Sequence, residues 1–212
     1  MDHNKETFET WNKIASLYQD KFMDLDLYNT SYDLICESIS LKNARILEIG
    51  CGPGNITRYL LSKRPDFNIL GLDIAPNMIT LAKKNNPTAT FKVMDCRDIN
   101  LLTSQYDGIV SGFCLPFLSA ANCVQFIKDS HQLLSNNGLL YISFVEGEPN
   151  KSGFITGSNG NRVYFNYHKL DTLRALLHLN SFMEPEVYHI DFKRTHSHLE
   201  QHTVLLTRKK QD

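Results

Sequence analysis

The chain lacks the marks of several large protein classes. It has no uninterrupted apolar stretch of membrane-spanning length, so no transmembrane helix is expected. Its first residues, Met1-Asp2-His3-Asn4-Lys5-Glu6, lack the apolar core of a secretory leader, and the expected compartment is the cytoplasm. Cysteine is sparse and odd in number. Cys36, Cys51, Cys96, Cys114 and Cys123 form no CxxC pair and no zinc-like spacing, so reduced thiols fit better than disulfides or a metal site. Charge of one sign is also missing. With 22 Lys+Arg against 23 Asp+Glu there is no global attraction to nucleic acid or an anionic membrane. The run Arg208-Lys209-Lys210 is expected to be a solvated tail. No GxGxxG occurs, which argues against a dinucleotide site, and no GKS or GKT, which excludes a Walker-type phosphate loop.

What is present is an ordinary globular composition in a length suited to one domain, expected to span 1–212 with a helical cap over 1–42. Phe8, Trp11, Ile14, Ala15, Leu17 and Tyr18 recur at steps of three and four and predict one amphipathic helix over about 5–22. A second helix is expected over 27–41. From Arg45 to Val145 short apolar strands alternate with helical segments, the pattern of a parallel sheet covered on both faces. Residues 146–162 are rich in Gly, Ser and Asn without periodicity. The span 147–167 is accordingly read as a long loop on the acceptor side of a site. Val187–Lys193 and Thr203–Thr207 follow too closely for a crossover helix, so they are expected to be antiparallel, joined by a polar turn.

The densest chemistry lies in Ile46-Leu47-Glu48-Ile49-Gly50-Cys51-Gly52-Pro53-Gly54. An apolar strand stops at three closely spaced glycines, which allow backbone to approach a ligand closely. Glu48 precedes the turn. It is poorly matched to a pyrophosphate and well matched to a cationic ligand, directly or by holding the loop's own N–H groups. A second apolar run ends in Asp73, whose carboxylate can accept both hydroxyls of a ribose. Ile74 and Met78 would flank an adenine. Asp95 and Cys96 end the next strand, where the acid can accept from an adenine amino group and the Cys96 N–H can donate to a ring nitrogen; Asp98 competes for the acid's role. All these positions fall at carboxyl ends of strands, where open α/β sheets bind ligands.

These residues resemble a class I S-adenosylmethionine-dependent methyltransferase of the small-molecule type. The resemblance rests on the glycine segment, Gly71-Leu72-Asp73-Ile74-Ala75-Pro76-Asn77-Met78, Met94-Asp95-Cys96-Arg97-Asp98, Tyr106-Asp107-Gly108-Ile109-Val110-Ser111-Gly112 and Leu134-Ser135-Asn136-Asn137-Gly138-Leu139-Leu140, in the family's order over about residues 40–146. It implies a doubly wound, Rossmann-like α/β fold with seven strands in the order 3-2-1-4-5-7-6, the last two an antiparallel hairpin. It implies S-adenosyl-L-methionine as cofactor, contacted by Glu48, the turn Gly50, Cys51, Gly52 and Gly54, then Asp73, Ile74, Met78, Asp95 and Cys96. Ser111, Gly112 and Phe113 would lie beside the sulfonium, and Tyr18 on the N-terminal helix would reach the amino-acid end.

The expected reaction is methyl transfer to a small molecule. Direct displacement needs alignment and exclusion of water, and a base only when the acceptor is protonated. No catalytic residue is certain; Glu146 and His168 are weak candidates, and His131 a weaker one. Trp11, Tyr164 and Tyr167 are candidates for an acceptor pocket. His196, His198 and His202 lack suitably spaced partners, and no metal is expected. A nucleic-acid or protein acceptor is the alternative, and an NAD-dependent oxidoreductase is a more distant one.

Overall fold

Strand β1 (Arg45–Ile49) is buried from its second residue to its last, as expected for a strand covered on both faces. A computed structural model describes residues 3–157, 160–195 and 198–211. In it β1 is followed by β2 (Asn68–Asp73), β3 (Thr90–Val93), β4 (Tyr106–Gly112) and β5 (Leu134–Val145). Helices α1 (His3–Lys13), α2 (Ala15–Phe22) and α3 (Asn29–Ser38) precede them; α4 (Asn55–Lys63), α5 (Pro76–Asn85) and α6 (Ala120–Leu133) connect them. Then come β6 (Gly153–Thr156), β7 (Arg162–Phe165), α7 (Leu170–Leu179), β8 (Glu186–Thr195) and β9 (His198–Arg208).

The main sheet has the order β3-β2-β1-β4-β5-β9-β8, the expected 3-2-1-4-5-7-6. The first five strands pair in parallel, and β9 runs antiparallel to both β5 and β8. Leu47, Ile109, Phe126, Ile127, Leu173 and Phe182 pack on one face of the sheet. Ile35, Ile46, Leu60, Val110, Tyr141 and Val204 pack on the other. Each such side chain contributes about 1.5–3 kcal/mol of hydrophobic stabilisation.

Four local expectations are corrected. The predicted helix over 5–22 is two helices broken at Ile14 (φ −97°, ψ 14°), which lets both follow α5 and buries Ala15 against Ala75 and Met78. Residues 153–165 contain an antiparallel hairpin, β6 and β7, where a loop was expected. The polar stretch 194–202 reads as a turn, but 196 and 197 lie outside the described residues, and 194–195 and 198–202 belong to strands. Pairing of β5 with β9 stops at Val145 opposite His202, while β8 and β9 continue to Phe192 opposite Glu200 and beyond, as a ribbon past the carboxyl edge of the sheet. Lys209 is not solvated: it is buried, and its Nζ donates to the carbonyls of His131 (3.1 Å) and Leu134 (3.0 Å). A cation at the end of α6 is favourable because the last carbonyls there lack helical partners.

Candidate active site

The loop after β1 reverses direction through left-handed backbone at Gly50 (φ 73°) and Gly52 (φ 52°), a region closed to most L-residues. Gly50 N and Cys51 N both donate to Leu72 O at 2.8 Å, which ties the loop to the end of β2. Asp73 completes the link. Its Oδ2 accepts from Gly52 N and its Oδ1 from Ala75 N, each at 2.9 Å. Burial raises the Asp73 carboxyl, and these two donors oppose the rise. Each oxygen keeps a further lone pair, so the group still has acceptor capacity.

Glu48 lies under the loop with 1% of its surface exposed. Thr57 Oγ1 donates to Oε2, while Oε1 has no hydrogen-bond partner among the described residues. Burial pushes its carboxyl from 4.5 up to about 8, with the Thr57 bond opposing and the Asp73 charge adding. Tyr18 of α2 is held nearby. Burial, then the charges of Asp73 and Glu48, raise its phenol to about 12. A Cβ built on Gly52 would stand 3.6 Å from the Tyr18 ring. Trp11 meets Tyr18 edge-on, with centroids 5.5 Å apart.

Loop, strand ends and N-terminal helices enclose a cavity of about 430 Å³, within the range of small-molecule sites. Tyr18, Gly50, Gly52, Asp73, Ile74, Met78, Asp95, Cys96, Gly112 and Phe113 line it, as does Trp11. Asp95 is already engaged: Arg97 Nε donates to both oxygens (2.9 and 3.0 Å) and Arg97 N to Oδ1 (2.9 Å). Burial alone would raise that carboxyl, but the Arg97 contacts outweigh it and hold it below the usual range.

Other candidates stand behind or away from this wall. Glu48 and Ser111 are buried beneath it, the Ser111 hydroxyl without a partner among the described residues. Cys51 packs with Ile79, Ala82 and Phe91. Gly54 caps α4, and a Cβ there would meet Asn86 Nδ2 at 2.4 Å. Of the acceptor candidates, Tyr164 and Tyr167 do not line the cavity; their strand neighbours Val163 and Phe165 do. Alternation along β7 turns the Tyr164 ring to Phe154, and Tyr167 packs on Gly147. Glu146 accepts from Leu170 N (3.3 Å) and Thr203 Oγ1 (3.4 Å), a structural position away from the cavity. His168 is buried with Nε2 3.0 Å from Leu115 O and 3.6 Å from Cys123 Sγ, and burial lowers its pKa. His131 packs edge-on against Phe182. Among the described residues no cluster suits a metal ion; His196 and Ser197 lie outside them, and the side chain of His198 is not described.

Sequence reasoning missed much of the opposite wall. Phe8, Phe22, Leu25, Tyr28, Phe117, Val145, Phe192, Glu200 and His202 all line the cavity. Alternation of Phe192, Glu200 and His202 along a strand pair was the available signal, hidden because the stretch reads as a polar turn.

Residues 46–138 match the protein family described as "Methyltransferase domain". The chain has the class I S-adenosylmethionine-dependent methyltransferase fold. Two curated relatives match parts of this chain in sequence. The carboxy-S-adenosyl-L-methionine synthase of Campylobacter hominis is 27% identical over 66% of this chain and 62% of its own. The malonyl-[acyl-carrier protein] O-methyltransferase of Bacillus cereus is 36% identical over 47% of this chain and 36% of its own. The chain spans less than two thirds of the length of the first curated relatives it matches. Among solved structures, the N-methyltransferase NodS of Bradyrhizobium japonicum, in complex with S-adenosyl-L-homocysteine, superposes with a TM-score of 0.71. It covers 97% of this chain and 100% of its own at 16% identity. No helix among the described residues is long and apolar enough to cross a membrane.

Proposed function

We propose that this protein transfers a methyl group from S-adenosyl-L-methionine to a small-molecule acceptor. The single observation that carries the reading is the joined pair of acids. Asp73 faces the cavity with spare acceptor capacity, and Glu48 keeps one oxygen unpartnered directly under the same loop. The two hydroxyls of a ribose are the groups that would satisfy Asp73, while Glu48 supports the glycine loop from beneath. The left-handed glycines leave room for close backbone approach. Similarity to the trans-aconitate 2-methyltransferase of Methylobacterium nodulans, 37% identical over 32% of this chain and 26% of its own, supports a small-molecule acceptor.

When bound, the cofactor supplies a methyl carbon already activated by a positively charged sulfur. The chain's own tasks are then to bind, orient and keep the site dry. Asp73 would hold the ribose through its free lone pairs. Glu48 would orient the glycine loop from beneath, and Tyr18 would reach the amino-acid end. Ile74 and Met78 would flank the adenine, with Asp95 and the Cys96 N–H at its edge; the Arg97 pair leaves Asp95 fewer lone pairs for that role. Gly112 and Phe113 would border the reacting end.

The N-terminal cap and the segment 147–167 would form the acceptor-side cover. Tyr164 N donates to Thr7 Oγ1 (2.9 Å), Thr10 Oγ1 donates to Arg162 O (2.8 Å), and Arg162 Nε pairs with Glu6 at 2.5 Å. These contacts latch α1 to β7 above an apolar chamber, an arrangement suited to excluding water. Five free cysteines support a reducing, cytoplasmic setting.

Calorimetry with S-adenosyl-L-homocysteine and with NAD tests the reading. Binding of the first and not the second is expected. Tighter binding of NAD would sink it.

A further inference from the structure

One histidine on the cavity wall has no part in the roles assigned so far. His202 is 94% withdrawn from solvent, since only 6% of it is exposed. Its Nδ1 lies 2.6 Å from Tyr28 Oη, with the two rings nearly coplanar at 7°. Phe192 stacks on its face at 4.8 Å, and Phe113 approaches edge-on at 4.8 Å. Its Nε2 has no hydrogen-bond partner among the described residues; Glu200 Oε2 stands 3.7 Å away, beyond hydrogen-bond reach. A buried ring nitrogen left unsatisfied costs about 1–3 kcal/mol, which a ligand's donor would relieve.

Position in the sheet gives the group its meaning. His202 faces Val145 at the carboxyl end of β5, and Gly112 with Phe113 ends the neighbouring β4. Under the methyl-transfer reading, on which this inference rests, that rim is where the reacting carbon would be presented. The chamber around it is walled by aromatic and aliphatic groups, with Glu200 and His202 the ionisable pair at this end.

We propose that His202 is the general base of this site and that the acceptor is a neutral aromatic compound bearing a hydroxyl. With the ring proton on Nδ1, donated to Tyr28 Oη, Nε2 keeps a lone pair. The acceptor oxygen donates its proton to Nε2 and forms the new bond to the methyl carbon. The carbon–sulfur bond breaks, and its electron pair stays on sulfur, which becomes a neutral thioether. The Glu200 carboxylate stabilises the imidazolium so formed. A neutral ring enters this chamber without the desolvation cost of an ammonium. Tyr28 does not compete for the proton: burial, followed by Tyr18, Tyr141 and Glu200, keeps its phenol well above the usual range. The titratable groups against the imidazole are thus Tyr28 and Glu200; Phe113 and Phe192 do not titrate.

The test compares 2-naphthol with 2-naphthylamine, which is uncharged at neutral pH and needs no base before attack. His202→Gln should lower 2-naphthol methylation by roughly 10²–10⁴-fold and 2-naphthylamine methylation by less than about threefold. Equal loss on both, in a folded variant that still binds S-adenosyl-L-homocysteine, overturns the base assignment. If the variant fails to fold, the unaltered protein still decides. Its 2-naphthol rate should fall as the pH is lowered, and a flat profile refutes the proposal. A readout without turnover is 4-nitrophenol bound beside S-adenosyl-L-homocysteine, buffered below the phenol's own pKa. The yellow anion should appear with the wild type and not with His202→Gln; a colourless complex with both refutes proton transfer. Failure of both naphthyl probes to react while S-adenosyl-L-homocysteine binds removes the hydroxyl-acceptor proposal alone. Failure of S-adenosyl-L-homocysteine to bind removes the methyl-transfer reading itself.

Discussion

Replacing Glu48 by Gln removes a titrating group from under the glycine loop while keeping its shape and an acceptor for Thr57. The native carboxyl holds its proton up to about 8, against an ordinary value of 4.5. An acid raised on folding binds protons more tightly in the folded than in the unfolded state. Its stability contribution therefore falls as pH rises between those two values. At 1.36 kcal/mol per pH unit, the folded wild type should lose roughly 2 kcal/mol between about pH 6 and pH 8 from this group alone. Glu48→Gln lacks that loss. Urea unfolding of both proteins at the two pH values measures the difference, and subtraction cancels every other titrating group. The same variant should bind S-adenosyl-L-homocysteine more weakly only above about pH 8, where the native side chain is an anion; below that both side chains are neutral and the affinities should agree. Wild type and variant with parallel pH slopes would show that Glu48 is ionised throughout, and the unpartnered Oε1 would then need another explanation.

Asp73→Ala should weaken S-adenosyl-L-homocysteine binding by about 1–3 kcal/mol through loss of a buried acceptor, read by calorimetry; unchanged affinity in a folded variant removes the ribose role. The latch between α1 and β7 gives a prediction about dynamics. Amides of residues 3–13 and 162–165 should gain protection from hydrogen exchange together when S-adenosyl-L-homocysteine binds, and Thr7→Val should uncouple them. Protection that rises in one segment alone in the wild type contradicts a shared cover.

Much of the sheet was readable because β1, β2, β4 and β5 carry consecutive apolar residues and end in local signals, the glycines of Gly50-Cys51-Gly52 and the acid of Asp73. Those signals are short-range: turn and strand lie within a few residues of each other, and the cavity-facing Gly50, Gly52 and Asp73 follow from them. The opposite wall of the cavity depends instead on long-range pairing. Whether Glu200-Gln201-His202 is turn or strand is decided by β8 and β5, not by its own composition. Tyr164 and Tyr167 were singled out as aromatics, but the period of two along β7 turns Tyr164 away and presents Val163 and Phe165 to the cavity, while Tyr167, beyond the strand, packs on Gly147. Lys209 looked solvated for the same reason: its partners, His131 O and Leu134 O, are some 75 residues away.

The placement of β9 has a consequence for the order in which the molecule can be assembled. The strand that comes last in sequence lies inside the sheet, between β5 and β8. Until it arrives, β5 presents an open edge made of Leu139, Leu140, Tyr141 and Ile142, all of which end almost wholly buried. An unpaired apolar edge of that kind is prone to pair with other chains. The glycine loop and Asp73 belong to strands completed long before, whereas His202 and Glu200 ride in on the closing strand. A nascent chain therefore has the glycine loop and Asp73 well before it has the wall opposite. A ligand that occupies the cradle early would stabilise the half-built sheet by mass action during the interval when its edge is open.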